Sequence, residues 1–270
     1  MIIDVFPFFN EASLLKARLE YLGPFVDKFI IFESSIDFSG KSRKLFLNKE
    51  IVSNLPYAEK IEIHQWIPSY WFLKIQLPLV KFLKKNNGLW KIQNKQRNSV
   101  TNKLAKIRPD AILIFGDLDE FPDKNFIKDK LKLKNELNIS PILSFSQTMF
   151  YYNTKTIMDN DWRGTSLCTI STAIKKTPRK IRKYRLDYPV VGKGWHFSYF
   201  SSSEGIKEKI LAIADAENLT KYKSLTNNEI EAAIQNSKDL YNRIPPSLNN
   251  LQSHEIPEDL KKILKKYNIS

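Results

Sequence analysis

A single cysteine, Cys168, stands in 270 residues. That excludes an internal disulfide and a cysteine-built metal site, and it suits a reducing compartment. No apolar run approaches the roughly 18 residues of a membrane-spanning helix. The start of the chain, Met1-Ile-Ile-Asp-Val-Phe, lacks a basic stretch and a cleavage site and already reads as a strand, so no signal peptide is expected. Arginine-rich stripes, zinc spacings and helix-turn-helix patterns are missing, and no nucleic-acid partner is expected. Repeats and Gly/Ser-rich linkers are missing too, which points to one continuous domain over residues 1–270. A cytoplasmic protein is the expectation from these absences.

What the chain does have is charge of one sign. Its net charge is +14, nearly all from lysine. Phosphorylated ligands and anionic lipid surfaces are compatible with that balance, and so is an ordinary solvated lysine-rich surface. With 42% hydrophobic residues, 17 of them Phe, the chain can bury a core and is not disordered.

Four short apolar runs read as strands: Ile2 to Phe6, Phe29 to Phe32, Ile61 to Trp66 and Ala111 to Phe115. Helical spacing separates them, with Leu15, Leu19 and Leu22 after the first and a helix expected over Gly88 to Ile107 before the last. Alternation of this kind predicts an α/β fold with a largely parallel sheet. Ligands bind such sheets at the carboxyl ends of the strands. Asn10-Glu11, Glu33 and Asp117 to Glu120 all fall at predicted strand ends, and they predict one site. The second half is less regular. Capping boxes are read at Ser201 with Glu204 and at Thr226 with Glu229. The basic run Lys175 to Arg185 reads as a loop or an edge, more often a solvated face than a phosphate grip.

The segment Ile114-Phe-Gly-Asp-Leu-Asp-Glu-Phe-Pro122 runs from an apolar strand straight into three carboxylates. In an extended chain Asp117 and Asp119 point the same way. Unpaired carboxylates repel, and Mn²⁺ or Mg²⁺ would relieve the repulsion and hold a diphosphate. An acidic turn capping the next helix is the plainer alternative. Trp90, Gln93 and Arg97 share a helical face, where Arg97 reaches a phosphate or simply covers a Trp. His196, between Trp195 and Phe197, is a ligand or a satisfied core histidine. His64 and His254 read as structural.

These residues resemble glycosyltransferase family 17, whose best-known member adds the bisecting β-1,4-linked N-acetylglucosamine to N-glycans. The resemblance rests on ordered blocks: Asp4 to Glu11, Leu14-Leu15 with Arg18-Leu19, Val26 to Ser34, Gly40-Lys41, Arg97-Asn98, Arg108-Pro109-Asp110, Asp117 to Pro122, Gly194 to Tyr199, Glu204 to Ile206, and Lys209. It covers roughly residues 2 to 215. The family often has an acid where Gln93 stands, and Ile where Phe121 stands. The resemblance implies a GT-A-like, Rossmann-type nucleotide-sugar-binding fold with a mixed central sheet. A nucleotide-binding half of about 1–125 and an acceptor half of about 126–270 follow from it. So does inverting transfer from a UDP-sugar, with UDP-N-acetylglucosamine expected, to a glycan or glycolipid.

By position, the resemblance places Asn10, Glu11 and Glu33 at the uridine, Arg97 and Asp117 at the diphosphate, and Asp117, Asp119 and His196 at the metal. The catalytic base is expected at Asp161, with Glu120 as the other candidate. The basic surface would dock the protein peripherally on an anionic membrane. A metal-dependent phosphohydrolase and a non-catalytic basic glycan- or nucleic-acid-binding module are the rival readings.

Overall fold

The computed structural model describes residues 1–37, 40–79, 88–212, 224–240 and 255–269, with 88–90 as backbone only. The side chain of Trp90 and all of His254 therefore lie outside the described residues.

Among the described residues nine strands form one sheet: β1 (Ile2–Pro7), β2 (Lys28–Ser34), β3 (Ile61–Trp66), β4 (Ile112–Phe115), β5 (Glu120–Pro122), β6 (Ile142–Tyr151), β7 (Ile157–Trp162), β8 (Ser166–Thr169) and β9 (Val190–Ser198). The order is β3-β2-β1-β4-β8-β6-β9-β5, with β7 paired to β6. The first four strands are parallel. Beyond β4 the sheet turns mixed: β8 runs antiparallel to β4 and β6, while β6 and β9 are parallel. The fold is thus α/β with a mixed central sheet, less parallel than the strand–helix alternation alone suggests.

Both faces of the parallel part are covered, which explains why its strands read as continuous apolar runs. Successive side chains alternate between faces. Ile2, Phe6, Phe29, Ile31, Ile112 and Ile114 pack on one side with Leu15, Leu19 and Leu22 of the helix Ala12–Leu22. Ile3, Val5, Ile30, Phe32, Leu113 and Phe115 pack on the other with Val100, Leu104, Ile170 and Ile181.

The helix expected over Gly88 to Ile107 is divided into Gly88–Ser99 and Thr101–Leu104, with buried Val100 at the junction. The Thr226/Glu229 capping box is present. The helix Ser203–Ala212 is entered one residue later than its sequence suggests, with the Gly205 amide donating to Ser202 Oγ at 3.3 Å. The basic run is not a loop. It forms two short helices, Ile170–Lys176 and Pro178–Lys183.

Candidate active site

At the carboxyl end of β4 the chain makes a tight turn rather than continuing extended. Glu120 N–H donates to the Asp117 carbonyl at 3.1 Å, and the Glu120 carboxylate curls back to accept the Asp117 N–H at 2.9 Å. Asp117, Leu118 and Asp119 are turned toward a cleft of about 260 Å³ that they line together. Glu120 is pointed the other way and is fully buried.

Arg18 holds this turn from below. It is wholly buried and pairs with Asp4 through two bonds of 2.8 Å. Its Nη1 donates to the Glu120 carbonyl and lies 3.4 Å from that of Asp117. Asp4 occupies the helix-facing side of β1, where strand alternation aims it at the helix that carries Arg18.

Arg182 closes the turn from the side. Its guanidinium bonds both oxygens of Glu120, at 2.9 and 2.8 Å, and reaches Asp117 Oδ2 at 2.6 Å. Trp162 Nε1 donates to Glu120 Oε1 at 2.9 Å. Gly164 allows the close approach, since a Cβ there would sit 1.9 Å from Glu120 Oε1. The run read as a solvated face therefore supplies the central cation of the cluster. Its signal was hidden because the partners lie more than 60 residues away in sequence.

Two strands bring the remaining groups in. Antiparallel pairing of β5 with β9 sets Glu120 opposite His196, and His196 Nε2 lies 3.4 Å from Asp119 Oδ1. After β9, the helix Ser203–Ala212 carries Lys209, whose Nζ is 2.9 Å from Asp119 Oδ2 and 3.1 Å from Glu11 Oε1. Arg97 Nη2 meets Asp117 Oδ1 at 2.9 Å. Burial would raise the Asp117 and Asp119 carboxyls. Arg182 and Arg97 beside the first, and Lys209 with the neighbouring His196 ring beside the second, overcome it and hold both below the usual carboxylate range. Burial would lower Lys209, but Asp119 and Glu11 hold it well above the ordinary lysine value.

The sequence candidates thus separate. Glu11, Arg97, Asp117, Asp119 and His196 line one cleft, with Gln93 beside them. Asn10 faces a neighbouring pocket, where its amide donates to Glu208. Glu33 is fully buried and accepts the Phe46 and Leu47 amides at 2.6 and 3.0 Å, so it braces the loop after β2. Asp161 is exposed on β7 and bound to Arg163 and to Ser146. It precedes Trp162, which reaches Glu120, and strand alternation sends the two side chains to opposite faces. Neither Asp161 nor Glu120 lines the cleft, whose acids are Glu11, Asp37, Asp117 and Asp119. Arg18, Arg182 and Lys209 are the members that sequence reasoning did not assign.

A Mn²⁺ or Mg²⁺ ion needs several oxygen ligands free to coordinate it. This arrangement does not fit one: Asp117 Oδ2 is bonded to Arg182, Asp117 Oδ1 has no hydrogen bond but is ion-paired with Arg97, and Asp119 is held between Lys209 and His196. Among the described residues no group of three or more His, Cys, Asp or Glu side chains is placed to hold a metal. The repulsion that called for a divalent ion is relieved by the chain's own cations.

An α/β sheet whose strand ends deliver acids and cations to one cleft is a frame for binding a ligand, and the family the sequence matches makes the class glycosyltransferase. The chain belongs to glycosyltransferase family 17, whose description it matches over residues 1–268. No curated protein matches it. Similar solved structures include 2-C-methyl-D-erythritol 4-phosphate cytidylyltransferase of Francisella tularensis (13% identity, 78% of this chain and 99% of that one, TM-score 0.39). Another is mannose-6-phosphate isomerase of Helicobacter pylori (12%, 79% and 93%, TM-score 0.37). A third is the galactosyltransferase LgtC in complex with donor and acceptor sugar analogues (10%, 97% and 99%, TM-score 0.35).

Proposed function

We propose that the cleft binds a UDP-sugar, with N-acetylglucosamine as the sugar, and that the enzyme transfers it with inversion to a hydroxyl of a glycan or glycolipid. One observation carries the reading. Arg97 and His196 both line the cleft, and each keeps a buried nitrogen, Nη1 and Nδ1, with no hydrogen-bond partner among the described residues. A buried guanidinium nitrogen without an acceptor is costly, and a diphosphate offers the oxygens that match its fork. Pro7, Phe8, Phe9 and Ile36 supply apolar surface for the base, and Glu11 and Asp37 supply acceptors for sugar hydroxyls.

In this reading the acceptor hydroxyl attacks the anomeric carbon on the face opposite UDP. The bond to the diphosphate oxygen breaks, and Arg97 neutralises the charge that builds there. The hydroxyl proton passes to a carboxylate. Asp161, exposed and outside the cleft, is expected to be dispensable. Asp161→Asn should keep initial rates within about threefold of wild type, whereas loss of a general base costs about 10²-fold or more. A loss of that size in steady-state assays would return Asp161 to the mechanism.

The donor is tested by following release of the nucleoside diphosphate, UDP from UDP-N-acetylglucosamine, UDP-glucose and UDP-galactose and GDP from GDP-mannose, beside thermal shifts with each. A ligand near 100 times its Kd adds about 2.7 kcal/mol of stability. Release and a shift with UDP-N-acetylglucosamine above the others support the proposal. Release from none of the four, with no shift, would sink it.

The protein is proposed to work against an anionic membrane. Ile67, Tyr70, Trp71, Ile75 and Leu79 are exposed in one segment, Tyr70 by 76% and Ile67 by 67%, with exposed Lys74 among them. Apolar side chains mixed with lysine suit a lipid interface. No helix among the described residues is long and apolar enough to cross a membrane. Binding to phosphatidylglycerol vesicles is expected to fall several-fold in Trp71→Glu and at high salt. Co-sedimentation indifferent to both would contradict it.

A further inference from the structure

The ammonium of Lys209 bridges two carboxylates that start far apart in the chain, Asp119 of the acidic turn and Glu11 at the entry to the first helix. Packing fixes it there. Ile206 and Ile210, on the same face of the helix Ser203–Ala212, are 0% and 1% exposed. An ammonium has three N–H donors. Among the described residues Asp119 accepts one of them at 2.9 Å, and Glu11 forms an ion pair with the ammonium at 3.1 Å. Lys209 also lines the cleft that holds the unpartnered Arg97 Nη1.

Resting on the donor-site reading above, we propose that Lys209 is the resident cation of this site. Its remaining N–H and Arg97 hold the UDP diphosphate, and its ammonium keeps a divalent ion from the Asp119–Glu11 pair. UDP then binds, and leaves after transfer, without a metal. Lys209 is a binding residue in this account, since it touches the leaving diphosphate.

The test is calorimetric titration of UDP into the wild-type protein and Lys209→Ala, each in EDTA and in Mn²⁺. The wild type is expected to bind UDP with about the same affinity in both. Lys209→Ala should bind about tenfold or more weakly in EDTA, the loss of one charge-assisted bond. It should recover in Mn²⁺, because the vacated carboxylates then have room for the ion. Lys209→Met keeps the apolar stem and replaces the alanine variant should that fail to fold. Wild-type binding that requires Mn²⁺ overturns the proposal and leaves the donor site standing. So does a variant that binds like wild type in EDTA. Absence of UDP binding under every condition overturns both.

Discussion

Arg18→Leu is expected to remove about 3–5 kcal/mol of stability, the cost of breaking a buried ion pair from one side. Arg18 and Asp4 are both 0% exposed, so the aspartate left behind has no access to water. The guanidinium also stacks over the Phe6 ring at 4.7 Å and ties the turn that bears Asp117 and Asp119 to the core. Denaturant unfolding measures the effect as a lower midpoint with an unchanged slope. The double variant Asp4→Leu/Arg18→Leu should lose less than the sum of the two single changes, because no lone charge remains. A loss below about 1 kcal/mol for Arg18→Leu would place the pair among weak contacts and remove it as the anchor of the turn.

Arg182→Met is expected to be comparably severe, again about 3–5 kcal/mol. Glu120 is fully buried and takes two of the arginine's bonds. Without Arg182 its hydrogen bonds among the described residues are those from the Trp162 indole and the Asp117 amide and a longer one from Thr165. Asp117 would keep its ion pair with Arg97 and draw that guanidinium toward itself. Stability and UDP affinity should therefore fall together. Glu120→Gln in the Arg182→Met background should restore part of the stability, since it removes the stranded charge. A folded, stable Arg182→Met with unchanged UDP binding would mean that the cluster is ordinary surface charge.

The parts of this molecule legible in its sequence are those set by local pattern. β3 spans Ile61–Trp66 as the alternation predicts, and β1, β2 and β4 differ from their apolar runs only at the ends. Thr226 and Glu229 announce their helix three residues apart. What was not legible depends on partners distant in the chain. Glu120 was a candidate base because it follows Asp119, yet its direction is decided by Arg182, Trp162 and Gly164. Arg182 sits among lysines and arginines, where a local reading sees only a solvated face. The antiparallel entry of β8 beside β4 has no local signature either. Asp117 and Asp119 line the cleft that their place after an apolar strand predicts, but the cations that answer them, Arg182 and Lys209, come from elements 60 to 90 residues further on.

The most direct measurement is a crystal structure of the protein grown with UDP. The account predicts the diphosphate in the cleft between Arg97 and Lys209, one oxygen about 3 Å from Arg97 Nη1, and the uracil against Phe8 and Phe9. UDP bound elsewhere, with Arg97 Nη1 still lacking a partner, would contradict it.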